Sequence, residues 1–357
     1  MNNSKKKLLF LGETFRADAI TWSNGLKEFG DFEIITWELK QSGKGFFRRL
    51  KRIFEYCFCI FEIKKIIKTQ KPDLILAERA TSYGFLAAIS GVKPIVIAQQ
   101  GISDLWPENS ILFTIKKIIQ NYAYKKADLI HAWGTIMIPA MLASKVNLDK
   151  ILILPKGINL SEFENKNICS DSKIYAIVTR SLYLEYGHEC ILKAFAILNK
   201  KKIDFELTIV GDGNLFEKLK QLSNDLNIKS KVIFTGRILN TELPKLLQKS
   251  NLYISMPTTE GVSASLFEAM ASNCYPIVSQ IAGNECWISH RENGQLILVN
   301  NFDMLAKEII WAFENVNYRK KAILENRKFV QEKANYAINM KIIADKYHEL
   351  INLKTNS

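Results

Sequence analysis

The sequence has no CxxC pair, no D-x-D, only four histidines, and no charge-free apolar run long enough to cross a bilayer. Each absence excludes something. Without CxxC or His at ligand spacing, zinc ribbons and thiol-redox motifs fall away. The six cysteines, at 57, 59, 169, 190, 274 and 286, read as reduced cytosolic thiols buried as small hydrophobes. Without D-x-D or any carboxylate cluster at metal spacing, no metal is expected and a metal-assisted phosphate clamp is not indicated. No solenoid repeat or low-complexity tract is present. The opening Lys5-Lys6-Lys7 and short apolar run superficially suggest a signal peptide. Glu13, Arg16 and Asp18 follow Gly12 too soon for an h-region, so a first buried strand is expected instead.

What is present is a folded composition, 48% hydrophobic and 24% charged over 357 residues, which implies two domains of roughly 150 to 200 residues. The formal charge of +13 is uneven, with ten Lys or Arg against two Glu between Lys40 and Lys71. In residues 45–71 these cations interleave with Phe46, Phe47, Leu50, Ile53, Phe54, Phe58, Phe61 and Ile66. Apolar residues at helical spacing on a basic helix suit an anionic membrane surface. The same pattern also suits a helix packing its aromatics inward with solvated lysines. Nucleic acid is not expected, because no binding motif accompanies the charge.

Short apolar strands alternate with helical stretches along the whole chain. Strands are expected at Lys7–Leu11, Glu33–Trp37, Asp73–Ala77, Pro94–Ala98, Lys126–His131 and Lys150–Leu154. Six more follow at Ile174–Val178, Glu206–Val210, Lys231–Phe234, Leu252–Ser255, Tyr275–Val278 and Gln295–Val299. This βα alternation predicts an α/β protein with two Rossmann-like domains, their parallel sheets facing a central cleft. The polar segment Asn165–Lys173 sets the division at 1–165 and 166–337. The long helical region Phe302–Leu353 follows, and residues 338–357 are expected to cross back to the first domain. Ligands of such sheets sit at the carboxyl ends of the strands.

Thr258-Thr-Glu260-Gly-Val-Ser-Ala-Ser-Leu-Phe-Glu268-Ala-Met-Ala271 carries the chemistry. It follows a strand and opens a helix expected from near Val262. The small residues Gly261, Val262, Ser263, Ala264 and Ser265 let backbone N–H groups converge on an anion such as a pyrophosphate. Glu268, about two turns on, offers an acceptor-only carboxylate to a ribose diol. Taken alone, two glutamates at this spacing read as an ordinary helix start with surface carboxylates.

Several segments in order give this pair its meaning. Leu154 to Phe163 is similar to a "P-N-G-V-D…F" turn, Val178-Thr-Arg180-Ser-Leu182 to "G-R-L", and Val210-Gly211-Asp-Gly213 to "V-G-D-G". Phe234-Thr-Gly236 is similar to "F-x-G", and Glu260–Ala271 to E-x7-E with its "E-A-M-A". The chain thus resembles the family-4, group-1 type retaining glycosyltransferases of GT-B fold, specifically over 150–300. The likeness is looser before that, at Lys71-Pro-Asp73 and Tyr83-Gly84. It implies Arg180 on the donor phosphates, Glu260 on the sugar hydroxyls and Glu268 on the ribose. Gly211 and Gly236-Arg237-Ile238 would complete the donor pocket, part of the base site coming from Asn227–Arg237.

Family members often carry a Lys shortly after the Arg. Here Tyr186 stands at that place, so one leaving-group cation is missing. Gln99-Gln100-Gly101-Ile-Ser-Asp104 occupies the place of a His before Gly, leaving Gln100, Asp104 and the turn glycine Gly12 as acceptor-side candidates. Trp287 reads as a core aromatic, and His131, His188, His290 and His348 read as structural.

The resemblance implies a metal-independent transfer of a hexose-type sugar from a nucleotide-sugar donor to a saccharide acceptor, with retention. A lipid-linked acceptor at the inner face of a bacterial membrane, in lipopolysaccharide or exopolysaccharide assembly, would account for the basic stretch. A non-catalytic nucleotide-sugar-binding scaffold and a nucleotide-sugar epimerase are the alternatives.

Overall fold

The computed structural model describes residues 5–39, 46–101, 112–163 and 171–355, and in α2 the side chains of residues 46–55 and 57 lie outside that description. The chain divides into two compact units, Met1–Lys156 with Ala337–Ser357, and Gly157–Tyr336. The division at Lys156 lies ahead of the polar Asn165–Lys173 segment.

In the first unit β1 (Lys7–Leu11), α1 (Ala17–Gly30), β2 (Glu33–Trp37), α2 (Phe46–Gln70), β3 (Leu74–Glu78), α3 (Phe85–Ser90), β4 (Ile95–Gln99), α4 (Phe113–Lys126), β5 (Leu129–Ala132), α5 (Ile138–Ala143) and β6 (Ile151–Ile153) alternate. All pairings are parallel, in the order β2-β1-β3-β4-β5-β6. Leu8 to Leu11, Leu74 to Ala77 and Ile95 to Ala98 are buried without alternation. Helices cover both faces, so these strands need apolar residues on both.

The second unit contains α6 (Leu160–Phe163), β7 (Ile174–Thr179), α7 (His188–Lys200), β8 (Phe205–Val210), α8 (Phe216–Asp225), β9 (Val232–Gly236), α9 (Leu243–Gln248), β10 (Leu252–Ser255), α10 (Ala264–Ala271), β11 (Tyr275–Ser279), α11 (Ala282–Glu285), β12 (Gln295–Ile297), α12 (Phe302–Glu314) and α13 (Val316–Lys333). Its sheet is also parallel, in the order β12-β11-β10-β7-β8-β9. One core cluster gathers α7 and α12 residues such as Phe195, Leu198, Leu305 and Ile309. A second gathers α10 and α13 residues such as Leu266, Met270 and Val330. A sheet buried on both faces by packed helices needs two such clusters.

The expected helical run from Phe302 to Leu353 is broken into α12, α13 and α14 (Tyr336–Thr355). The second break has a visible cause. Ile158 N donates to Ala334 O (2.9 Å) and Tyr336 N donates to Ile158 O (3.0 Å), so the backbone there pairs laterally. Most of α14 belongs to the first unit. His348 Nε2 bonds Gly30 O at 2.7 Å and its ring stacks on Phe32, while Asn339 Nδ2 donates to Pro155 O at 2.9 Å.

Each sheet has one place where strand order reverses, between β1 and β3 in the first unit and between β7 and β10 in the second. Loops leaving such neighbouring strands diverge to opposite faces and open a crevice at their carboxyl ends.

Candidate functional site

At the second unit's reversal point, Arg180 directly follows β7. Its Nη2 donates to Glu260 Oε2 and to Ser263 Oγ, and its Nε lies 3.4 Å from Ser255 Oγ. The Tyr186 ring packs 5.6 Å from the guanidinium carbon. Burial works against the arginine's charge, but Tyr253 and Glu260 outweigh it and raise its pKa further. The Arg180 and Glu260 side chains are each only 13% exposed. Removing one partner of so enclosed a pair costs about 3–5 kcal/mol.

The pair is placed by loops that interlock. Ser263 caps α10, its Oγ accepting from Leu266 N at 3.3 Å. This moves the helix start from the expected Val262 to Ala264, so Glu268 stands little more than one turn in, not two. Thr258 N donates to Glu185 O at 2.8 Å, joining this loop to the one carrying Tyr186. Ser279 Oγ donates to Pro257 O at 2.7 Å, and Asn284 Nδ2 donates to Ser279 O at 2.8 Å.

Two glycines allow the close approach. Gly211, with φ 141°, packs on the Arg180 carbonyl, where any Cβ would collide. Gly283 does the same against the Glu260 and Gly261 carbonyls. Apart from Leu266 N, which Ser263 Oγ takes, the first N–H groups of α10 lack an intrahelical acceptor and form the electropositive end of the helix.

The structure thus brings together Arg180, Glu260, Ser263, Tyr186 and Gly211. Gly236 joins them through Gly211 N to Gly236 O at 3.0 Å. Val262 and Ile238 pack on the α10 core cluster, Ala264 and Arg237 are exposed, and Ser265, Gly261 and Glu268 are half-buried. Trp287 is a core aromatic, edge-on to Phe267 at 5.1 Å. The sequence reading missed Ser255, Ser279, Asn284 and Gly283. Ser255 ends a strand beside Arg180, a placement that follows only once β10 is paired with β7.

All four histidines bond backbone. His131 Nε2 reaches Leu154 O, His188 Nε2 reaches Ser181 O, His348 Nε2 reaches Gly30 O, and His290 Nδ1 accepts from Leu296 N. Burial, with Arg180 nearby, pulls the His188 pKa down. No three His, Cys, Asp or Glu side chains among the described residues gather as metal ligands.

At the first unit's reversal point, Gly12 faces not open space but Glu78. A Cβ there would lie 2.8 Å from the Glu78 carboxyl carbon. Glu78 is 2% exposed and accepts from Glu13 N at 2.9 Å and from Gln100 Nε2 at 3.3 Å. Burial pushes its pKa up. Glu78 was not singled out from sequence, since a glutamate at a strand end reads as solvent-facing. Asp104 lies outside the described residues.

Two family descriptions match the chain. "Glycosyl transferases group 1" covers residues 161–329, including Arg180, Glu260 and Glu268, and "Glycosyl transferase 4-like" covers 23–133. The chain is a glycosyltransferase, and its second unit matches the group 1 family. An uncharacterised glycosyltransferase of Methanocaldococcus jannaschii is 27% identical over 69% of this chain and 64% of its own length. A UDP-Gal:alpha-D-GlcNAc-diphosphoundecaprenol alpha-1,3-galactosyltransferase of Escherichia coli is 23% identical over 70% of this chain and 69% of its own. The chain therefore spans about two thirds of the length of these curated relatives. The crystal structure of Anabaena HepE in complex with UDP superposes with TM-score 0.79 at 16% identity, covering 97% of this chain and 100% of that one. At that identity the likeness shows fold, and with the two parallel sheets it makes this glycosyltransferase a two-domain GT-B protein.

Proposed function

We propose that this glycosyltransferase moves a hexose-type sugar from a nucleotide-sugar donor to a saccharide acceptor, with retention at the anomeric carbon and without a metal. The observation that carries the reading is Arg180 fixed between Glu260 and Ser263 at the mouth of α10. Its Nη1 has no hydrogen-bond partner among the described residues, so a pair of N–H groups is available to a diphosphate. Glu260 Oε2 is engaged, and Oε1 is available to a sugar hydroxyl. Glu268, further into α10, would hold the ribose. Gly211, Gly236, Arg237 and Ile238 complete the donor side. HepE has been crystallised with UDP and with UDP-glucose, which favours a nucleotide-sugar donor here.

In this reading the bond from the sugar's anomeric carbon to the diphosphate breaks first. Arg180 and the α10 N–H groups stabilise the charge that develops on the diphosphate oxygen. The acceptor hydroxyl then bonds to the carbon from the same face, and its proton passes to that departing oxygen. Tyr186 packs on Arg180 and steadies it. That role differs from supplying a second cation, so Arg180 carries the larger share of charge stabilisation.

We assign the acceptor side to the first unit, at Gln100 and the loop after β1, where Gly12 itself is packed on Glu78. Phe58 and Phe61 stand 62% and 67% exposed on α2, with exposed Lys64, Lys65 and Lys68 following them. That surface supports peripheral docking on an anionic membrane and hence a lipid-linked acceptor, as in cell-surface polysaccharide or lipopolysaccharide synthesis. No helix among the described residues is long and apolar enough to cross a membrane.

The direct test supplies candidate nucleotide sugars and lipid-linked saccharides extracted from membranes, follows nucleoside diphosphate release, and reads the product's anomeric configuration by NMR. Acceptor-dependent release with retained configuration is expected. An inverted product would defeat the retaining mechanism, and release of no diphosphate from any donor would defeat the transferase reading.

A further inference from the structure

The reversal point of the first sheet carries a built cluster that the donor site does not use. Glu13, the second residue after β1, is held by two arginines. Arg79 Nη2 lies 2.7 Å and Arg16 Nη1 3.0 Å from its Oε2. Arg16 Nε also lies 3.6 Å from Asp18 Oδ1. Behind this rim Glu78 is buried and accepts from Glu13 N and Gln100 Nε2, so one carboxyl fixes the loops that follow β1 and β4. Arg79 itself has φ 61°, a left-handed conformation disfavoured for a residue with a Cβ, and it begins a π-helical turn, Arg79–Gly84. Such strain persists where surrounding contacts impose it, and it concentrates at ligand sites.

The charges decide what this edge can take. Two arginines face Glu13, Asp18 and the buried Glu78, so the cluster has no cationic surplus to attract a phosphate or carboxylate. It does offer mixed donors and acceptors on partly exposed side chains, with Glu13 27% and Arg79 38% exposed. Closely spaced carboxylate and guanidinium groups complement vicinal hydroxyls, each of which both donates and accepts. We propose that the β1–β3 edge binds an uncharged sugar ring, with Glu13, Arg79 and Gln100 meeting its hydroxyls and Glu78 positioning Glu13 and Gln100 from behind. This deepens the acceptor-side reading and rests on it. The portion of the acceptor held here is a neutral saccharide ring, and any anionic portion lies elsewhere.

The test is saturation-transfer NMR on the full chain with methyl glycosides of glucose, galactose, mannose and N-acetylglucosamine, beside glucose 1-phosphate and glucuronate. At least one neutral glycoside is expected to bind. Glu13→Gln and Arg79→Gly, the latter relieving the positive φ, should each weaken it about tenfold or more. Glu78→Gln, which preserves shape, should weaken binding by a smaller factor through the two loops. Stabilisation by UDP, or by whichever nucleoside diphosphate stabilises the wild type, should be unchanged in all three variants, which also shows that they fold. Binding of the anionic sugars alone, of no neutral glycoside, or of neutral glycosides equally by wild type and variants overturns the proposal. If a glycoside binds through Glu13 and Arg79 while no nucleotide stabilises the chain, the donor reading fails and this one stands.

Discussion

In the second unit an arginine at the end of β7 is clamped by a glutamate from across the reversal point. In the first unit a glutamate at the end of β3 is clamped by the Glu13 backbone from across its own and by the Gln100 amide from the loop after β4. The two crevices share a topological origin and differ in charge. One presents a buried cation with N–H groups to spare beside a helix N-terminus. The other presents a buried carboxyl behind a balanced rim of two arginines and two carboxylates. On the proposed readings, the same strand-order reversal yields an anion-directed site and a hydroxyl-directed one. What decides between them is the residue that ends the strand and the glycine opposite, Gly211 against Arg180 and Gly12 against Glu78.

The largest expected effect comes from removing the cation. Arg180→Ala should lower kcat/KM for transfer by about 100- to 1000-fold, the scale of losing one pre-set donor to a developing anion. Steady-state kinetics with a saturating acceptor measure this, and a loss below about tenfold would place the charge stabilisation elsewhere.

Next in size is a pH effect confined to the first unit. His131 is fully buried, and burial lowers its pKa to about 4 although Leu154 O opposes that shift. The unfolded chain therefore takes up the proton first. The stability contribution is complete above about 6.5 and is lost as pH falls toward 4, amounting to about 3 kcal/mol. Urea unfolding from pH 7 to 4 should show this slope in wild type and a flatter one in His131→Gln.

Gly211→Ala tests the second unit's close approach. The added methyl meets the Arg180 carbonyl at a φ of 141°, and a destabilisation of about 1–3 kcal/mol is expected. Chemical denaturation gives the value, and donor affinity should fall with it. The parallel change at the other crevice should be milder, because the obstacle is a side chain. Gly12→Ala should cost about 1–2 kcal/mol and be partly rescued by Glu78→Ala in a double-mutant cycle. Strict additivity would separate the two residues.

The smallest effect has the opposite pH sign to that of His131. Glu78, its pKa raised by burial, holds its proton longer in the folded state. Its contribution is present below the unfolded carboxyl value and is lost as pH rises through the folded one. Glu78→Gln should remove that decline.

Much of this was legible in the sequence. All twelve expected strands form, because parallel strands buried on both faces read as short apolar runs between helices. Arg180 and Glu260 meet because β7 and β10, the strands that present them, are neighbours. Less legible was whatever depended on pairing across the sheet. Glu78 looks like any strand-end glutamate until β1 and β4 flank β3. Helix edges shifted for local reasons, such as Ser263 capping α10, and Gly12 turned out to accommodate a carboxylate.

The most direct test of the central claim is thermal unfolding of wild type and Arg180→Ala with a panel of nucleoside diphosphates and nucleotide sugars. The account predicts that at least one compound raises the wild-type Tm by mass action and that Arg180→Ala largely abolishes the shift. No shift with any compound, or an equal shift in both proteins, would contradict it.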